Sequence, residues 1–191
     1  KTSDDAPYSS ETNVGLFSTL LSTASVSDVN LKNVDINVKA TDKAVVRAGA
    51  IAGDITSKAV SKLSGNAKID NCRAEGAVSA KTDAAMVMTG GIAGRAAGNA
   101  YISNCISNVK VDSSAGNKIA YGAGIVSMTG NGTYVVNCAN KGDITVLTAS
   151  GFSLYAGGIV GMMTSTQYNC FSTGNVNVGT IIEKDALSGA G

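Results

Sequence analysis

Residues 90–111 read GGIAGRAAGNAYISNCISNVKV, and the pattern of this stretch recurs along most of the chain. The stretch has three markers, which are a glycine-rich apolar segment, an Asn-Cys pair and a short run that alternates branched apolar with polar residues. Self-similarity at a fixed period indicates a repeat architecture. Finding the other copies therefore decides the fold.

The glycine-rich marker occurs five times. Its copies are Gly15-Leu16-Phe17-Ser18, Ala50-Ile51-Ala52-Gly53, Gly91-Ile92-Ala93-Gly94, Gly124-Ile125-Val126-Ser127 and Gly158-Ile159-Val160-Gly161. Their second residues lie 35, 41, 33 and 34 positions apart. The Asn-Cys marker follows each copy as Asn71-Cys72, Asn104-Cys105, Asn137-Cys138 and Asn169-Cys170, with Asp28-Val29 in the first. The cysteines are 33, 33 and 32 positions apart, so the copies share one register.

The third marker is a period-2 pattern that is typical of a strand with one buried face. It occurs at residues 34–38, 76–78, 109–111, 142–146 and 174–178. No segment between the markers is long enough for a crossover helix, so each repeat must form one coil of a strand-only solenoid. We predict an all-β protein, a right-handed parallel β-helix (β-solenoid) of about five coils of about 33 residues, with three short strands per coil.

Stacked coils place equivalent residues in columns about 4.8 Å apart. We expect two inward columns, one aliphatic (Leu16, Ile51, Ile92, Ile125, Ile159) and one small and apolar (Val29, Cys72, Cys105, Cys138, Cys170). The column Asp28, Asn71, Asn104, Asn137 and Asn169 falls where the coil turns, and its amides can hydrogen-bond along the axis as an asparagine ladder.

The four cysteines invite a metal or disulfide interpretation. In single file the outer two lie roughly 14 Å apart, too far to surround one tetrahedral ion. In-register side chains also point the same way, which strains a disulfide. We therefore interpret the cysteines as buried reduced thiols and predict no metal and no cofactor.

Two irregularities interrupt the repeat. Eight residues, Lys58 to Gly65, are inserted in the second copy, either as a tolerated surface loop or as part of a binding face. Gly189 follows Cys170 by 19 residues, as Gly91 follows Cys72, which predicts that the native protein continues past residue 191. We divide the chain into a polar leader, linker or N-terminal cap (1–12) and one solenoid domain (13–191).

The composition argues against several classes of function. Fifteen basic residues balance 14 acidic ones, so no charge field favours nucleic acid, and no apolar stretch reaches the length of a membrane-spanning helix. Parallel β-helices include polysaccharide lyases and glycoside hydrolases, which use convergent carboxylates. Here the acids are scattered and histidine is absent, so we predict a non-catalytic protein.

Tyrosines recur in two columns and are our candidate binding residues. Tyr121 and Tyr155 stand four residues before Ile125 and Ile159, and Tyr101 and Tyr134 stand four before Cys105 and Cys138. Stacked tyrosines offer a large contact area for sugar or protein, and structural stacking over the core edge is the interpretation that competes with binding. Lys58 and Lys62 of the insertion complete the candidate set.

The sequence Gly-Gly-Ile-Ala-Gly or Gly-Gly-Ile-Val-Gly, followed by Asn-Cys and Gly-x-Val, resembles the GLUG-type repeat of bacterial surface proteins. The resemblance covers the chain from Val14 onward, with serine at positions 18 and 127 in place of the last glycine. It implies an extracellular or cell-surface location and an adhesin-like, spacer or accessory role, in some relatives beside a secreted peptidase. The partner would be a host glycan or protein surface. An open coil edge also predicts end-to-end self-association.

Overall fold

The computed structural model describes residues 10–41, 44–56, 66–83, 85–149 and 151–181. These residues form strands and turns without a helix, and all strand pairs are parallel. The predicted all-β parallel β-solenoid of about five turns is confirmed. The described part of the chain contains no helix with the length and apolarity that a bilayer span requires.

The strands follow the coils in chain order. Coil 1 contains β1 (Ser10–Val14), β2 (Phe17–Leu21), β3 (Ser25–Ser27) and β4 (Asn30–Ala40). Coil 2 contains β5 (Ala44–Gly49), β6 (Ala52–Thr56), β7 (Lys68–Asp70) and β8 (Arg73–Thr82). Coil 3 contains β9 (Val87–Gly90), β10 (Ala93–Ala97), β11 (Tyr101–Ser103) and β12 (Ile106–Ala115).

The last two coils divide the fourth strand in two. Coil 4 contains β13 (Ala120–Ala123), β14 (Val126–Thr129), β15 (Tyr134–Val136), β16 (Ala139–Asn140) and β17 (Ile144–Thr148). Coil 5 contains β18 (Leu154–Gly157), β19 (Val160–Met162), β20 (Thr166–Tyr168), β21 (Phe171–Ser172) and β22 (Val176–Thr180). Equivalent strands of successive coils pair to form four sheets. We name these sheets A to D in the order in which a coil visits them.

Each coil thus has four sides, where the sequence analysis predicted three strands. The glycine-rich segment supplies two strands, because the chain turns at its aliphatic residue. Ile51 N and Ala52 N both donate to Ile92 O, at 3.0 and 3.2 Å. Two consecutive amides that share one carbonyl interrupt the ladder, so sheet A ends and sheet B begins there. The three-residue strand before each Asn-Cys pair supplies sheet C.

The glycines that precede the aliphatic residues are required by close packing between sheets. A Cβ at Gly91, Gly124 or Gly158 would collide with a side chain of sheet D, respectively Ser107, Asn140 and Ser172. At Gly158 the added carbon would lie 2.5 Å from Ser172 Cβ. None of these three glycines has a positive φ. Their function is therefore to make room, and not to supply a left-handed turn.

The core runs through all coils along the predicted columns. Ile51, Ile92 and Ile125 are fully buried, and Cys72 and Cys105 are equally inaccessible. Leu16, by contrast, is 51% exposed although it was expected to face inward. Coil 1 is the end of the stack, so no described coil covers its outer side.

The first strand begins earlier than the sequence analysis placed the domain. Residues 10–12 pair with β5 and belong to the solenoid, whereas the sequence analysis placed them in a leader, linker or N-terminal cap. Glu11 anchors this strand through Arg47 of β5, with Oε2 2.8 Å from Nη1. Residues 1–9 lie outside the described part of the chain, as do Ser188 to Gly191, which were expected to open a further coil.

Candidate ligand-binding face

The outer surface of sheet C is made by three-residue strands whose central residue points inward. Ile69, Ile102 and Val135 are fully buried at this central position. The flanking residues therefore form two outward columns. One column contains Ser25, Lys68, Tyr101, Tyr134 and Thr166, and the other contains Ser27, Asp70, Ser103, Val136 and Tyr168. We call these two columns the sheet C face.

Tyr101 and Tyr134 stack on each other within this face. Their ring centroids are 4.7 Å apart and their planes differ by 14°. This separation matches the distance between neighbouring parallel strands. The rings consequently lie across the solenoid axis, one above the other.

A groove of about 620 Å³ opens in the sheet C face beside Tyr101. Its lining residues are Ser25, Ser27, Asn66, Lys68, Asp70, Tyr101 and Ser103. It spans coils 1 to 3. Small-ligand sites commonly have volumes of about 300–1,000 Å³, so the groove has a suitable size.

Asp70 is held in place by the next coil. Its Oδ1 accepts hydrogen bonds from Ser103 Oγ at 2.7 Å and from Asn104 Nδ2 at 2.8 Å. These bonds, led by the one from Ser103, lower the pKa of the Asp70 carboxyl below its usual value. The group is therefore a carboxylate at neutral pH and can only accept hydrogen bonds.

The asparagine column borders this face where the chain turns from sheet C to sheet D. Asp28, Asn71, Asn104, Asn137 and Asn169 all have left-handed backbone, with φ between 49° and 60°. Asn and Asp tolerate this conformation better than other residues with side chains.

Side-chain bonds join three of the four neighbouring pairs in this column. Asn71 donates to Asp28 at 2.6 Å, Asn137 to Asn104 at 3.1 Å and Asn169 to Asn137 at 2.6 Å. The remaining amide, that of Asn104, is directed to Asp70. The ladder and the groove therefore share the Asp70 carboxylate.

The connection that contains the insertion ends beside the groove. Residues 57–67 separate β6 from β7, whereas only residues 98–100 separate β10 from β11. Asn66, at the downstream end of this connection, lines the groove. Lys58 and Lys62, which the sequence analysis proposed for binding, lie outside the described residues.

The other predicted tyrosine pair is less accessible. Tyr121 and Tyr155 also stack, with centroids 5.0 Å apart and planes 9° apart. Tyr121 is only 6% exposed, because it packs with Val45 and Met88 in a hydrophobic cluster separate from the main core. Met128 of sheet B packs against this cluster. Tyr121 is therefore a packing residue, which corrects its assignment as a contact residue, and Tyr155 is partly exposed at the last coil.

The cysteine column lies inside the solenoid, and its four thiols are free. Each Sγ contacts the carbonyl oxygen two residues earlier, as in Cys105 Sγ to Ser103 O at 3.0 Å. Burial raises the pKa of the Cys170 thiol above its usual value. In the described part of the chain, no three His, Cys, Asp or Glu side chains are grouped so that they could hold a metal ion.

Sequence reasoning missed most of the groove. The sequence analysis treated the acids, Asp70 among them, as scattered, and it did not single out Ser25, Ser27, Asn66 or Ser103. A usable signal was present in the alignment of Arg73 with Ile106. Lys68 and Tyr101 each lie five residues before this aligned pair, and Asp70 and Ser103 each lie three residues before it. Residues two apart in one strand share a face, which places these four together.

A second depression, of about 270 Å³, lies on the outer surface of sheet D. Its charged lining residues are Lys32, Arg73, Glu75 and Lys141. With three bases and one acid, it is more positive than the groove in the sheet C face. We call it the sheet D groove.

The four parallel sheets and the continuous columns define this chain as a parallel β-solenoid protein. Comparison with protein-family models, with curated proteins and with solved structures gave no match. The resemblance to GLUG-type repeats therefore stays a prediction that rests on the residues quoted above.

Proposed function

We propose that the chain is a non-catalytic β-solenoid module of a bacterial surface or secreted protein, and that it presents the sheet C face as an interaction surface. The observation that carries this proposal is the groove beside the Tyr101–Tyr134 stack. A stacked aromatic pair combined with polar groups on a regular sheet gives contact area at low entropic cost. The GLUG-like repeat supports the bacterial surface location.

The disposition of the carboxylates favours binding over catalysis. Glycoside cleavage needs two carboxyl groups on one site. Among the described residues, Asp54 is paired with Arg95 at 2.8 Å, Asp112 with Lys110 at 3.1 Å, and Asp70 with Ser103 and Asn104. Each of these three acids is engaged by different partners, and only Asp70 of the three lines the sheet C groove.

The test is a binding screen with the purified 191-residue chain. The labelled protein is applied to a printed array of neutral, sialylated and sulfated glycans and to immobilised mucin, collagen and fibronectin. We expect saturable binding to at least one of these surfaces. Absence of any saturable binding would favour a spacer, and a rise in reducing ends when the protein is incubated with polysaccharides would favour an enzyme.

For the 191-residue chain itself we also propose end-to-end self-association. Val176 and Val178 continue the columns of the fully buried Ile144 and Val146, yet they are 43% and 59% exposed. In the described part of the chain, coil 5 has no strand paired on its far side. An uncovered edge and an uncovered apolar column both favour addition of another chain.

Sedimentation velocity over a hundredfold concentration range tests the self-association. We expect the sedimentation coefficient to rise with concentration. Val178→Lys, which places a charge in the exposed column, should reduce the association. A single monomeric species at the highest concentration would contradict the proposal.

A further inference from the structure

The two faces of the Tyr101 ring have different neighbours. Tyr134 of coil 4 covers the first face. Because the two rings stack along the solenoid axis, the second face of Tyr101 is directed towards coil 2, where Lys68 is its register partner. Lys68 and Asp70 of that coil line the groove. Tyr101 thus offers a flat apolar wall, which is suited to the C–H face of a sugar ring.

The other walls of the groove supply hydrogen-bonding groups of both kinds. The Asp70 carboxylate accepts hydrogen bonds from Ser103 and Asn104 at Oδ1 and from the backbone of Asn71. A carboxylate has about four acceptor positions, so a ligand hydroxyl can still donate to it. Ser25 and Ser27 add hydroxyl groups, and Asn66 adds an amide. Hydroxyl and amide groups can donate and accept, whereas the carboxylate accepts only. A ligand with several adjacent hydroxyl groups could satisfy all of them.

Charge distinguishes the sheet C groove from the sheet D groove. Lys68 and Asp70 bring one charge of each sign to the sheet C groove. The sheet D groove carries three bases, among them Lys141, against one acid. An anionic ligand would therefore favour the sheet D groove, and an uncharged ligand pays no such electrostatic penalty in the sheet C groove.

We propose that the groove beside Tyr101 binds an uncharged pyranose unit of a glycan. The sugar ring lies against Tyr101 within the groove, and its hydroxyl groups bond to the Asp70 carboxylate and to the serine side chains. This assignment rests on the proposed function of the chain as a binding module. It adds the place of binding and the chemical class of the ligand.

The test compares variants of the whole chain on the same printed array of neutral and anionic oligosaccharides. Tyr101→Ala and Asp70→Asn should each weaken binding to neutral oligosaccharides by about tenfold, since each removes a main contact. Tyr101→Phe keeps the ring and should retain most of the affinity. Lys141→Ala, in the sheet D groove, is the matched control and should stay within about twofold of the unmodified protein.

Thermal unfolding monitored by circular dichroism shows whether each variant is folded. Tyr101→Ala loses the stack with Tyr134 and could unfold for that reason. In that case the groove assignment is tested with Asp70→Asn and Tyr101→Phe. Binding that is unaffected by Asp70→Asn would overturn the groove assignment and leave the binding function intact. Binding restricted to anionic glycans and lost in Lys141→Ala would move the site to sheet D. Absence of binding to every printed oligosaccharide would overturn the glycan assignment, and binding to immobilised collagen or fibronectin would then leave the binding function intact.

Discussion

The side-chain amide of Asn104 donates to Oδ1 of Asp70 at 2.8 Å, although Asn71 is its neighbour in the asparagine column. The bond crosses from the turn column to the sheet C face. It fixes the carboxylate that lines the groove and links two neighbouring coils. Disturbing this pair should therefore affect stability as well as binding.

Asp70→Asn should lower the free energy of unfolding at pH 7 by about 1 kcal/mol, since hydrogen bonds to a charged group are worth more than neutral ones and the site is partly exposed. The pKa of Asp70 is lowered in the folded protein. The stabilisation that the ionised Asp70 gives the folded protein is therefore fully present above the unfolded-state pKa of about 3.9. It is lost as the pH falls through the lower pKa of the folded state. Urea denaturation of both proteins between pH 7 and pH 2.5 measures this difference.

Asp35→Asn, on the exposed side of β4, is the control for this experiment and should have little effect at pH 7. A gap between unmodified protein and Asp70→Asn that stays constant down to pH 2.5 would contradict the assignment.

Asn137 combines a ladder position with left-handed backbone at φ 53°. Asn137→Gly loses the ladder bonds and keeps the backbone conformation, whereas Asn137→Ala loses both. We expect the alanine variant to be about 1–2 kcal/mol less stable than the glycine variant. Chemical denaturation measures the difference.

Asn108 provides the matched comparison, because it lies in β12 without a positive φ. There the order should reverse, with glycine about 0.5–1 kcal/mol less stable than alanine. The same order of stability at both positions would show that the backbone conformation of Asn137 is not the cause.

Gly158 faces the side chain of Ser172 across the interior. Gly158→Ala should destabilise the protein by about 1–3 kcal/mol through overpacking. Ser172→Gly should relieve much of this cost in the double variant, whereas Ser172→Ala should not, because the added carbon meets Ser172 Cβ at 2.5 Å. A double-mutant cycle measures the coupling. Additive effects of Gly158→Ala and Ser172→Gly would exclude the proposed contact.

Arg47 is a buried cation, with only 5% of its side chain exposed. Burial acts to lower its pKa, but the hydrogen bond to Glu11 and the charge of Asp54 raise it. Glu11→Gln should destabilise the protein by about 1 kcal/mol, because it weakens the compensation of a buried charge. Arg47→Met should be neutral or stabilising, since Met88 occupies the equivalent position in coil 3.

Thermal denaturation of Glu11→Gln, of Arg47→Met and of the double variant measures whether Glu11 acts on stability through Arg47. We expect Glu11→Gln to have little effect in the Arg47→Met background. An equal loss in both backgrounds would show that Glu11 acts independently of Arg47.

Cys170 is the most accessible of the four thiols, since Cys72, Cys105 and Cys138 are buried. Iodoacetamide added to the native protein should label Cys170 first, and slowly, because burial raises its thiol pKa and the thiolate is the reactive form. The other three should react only after unfolding in guanidinium. Mass spectrometry of tryptic peptides identifies the labelled residues, and equal labelling of all four in the native state would contradict the inward column.

The repeat spacing determined the stacking of the coils. The cysteines recur at 33, 33 and 32 residues, and the Asn-Cys register observed between coils follows this spacing. Parallel in-register pairing requires equivalent residues to lie over one another, so one-dimensional spacing is sufficient to place the columns. The insertion before β7 was recognisable for the same reason.

The position of each sheet relative to the other sheets of its coil was decided only by the tertiary structure. Tyr101 and Tyr121 each recur as a tyrosine at the equivalent position of the next copy of the repeat. Tyr101 nevertheless lines a groove, whereas Tyr121 is buried. Repeat spacing specifies the neighbour above and below each residue. It carries no information about how sharply the chain turns at Ile92, or about which outer surfaces are packed together as a result. Side-chain accessibility depends on those turns, and hence on contacts that the period of the sequence does not encode.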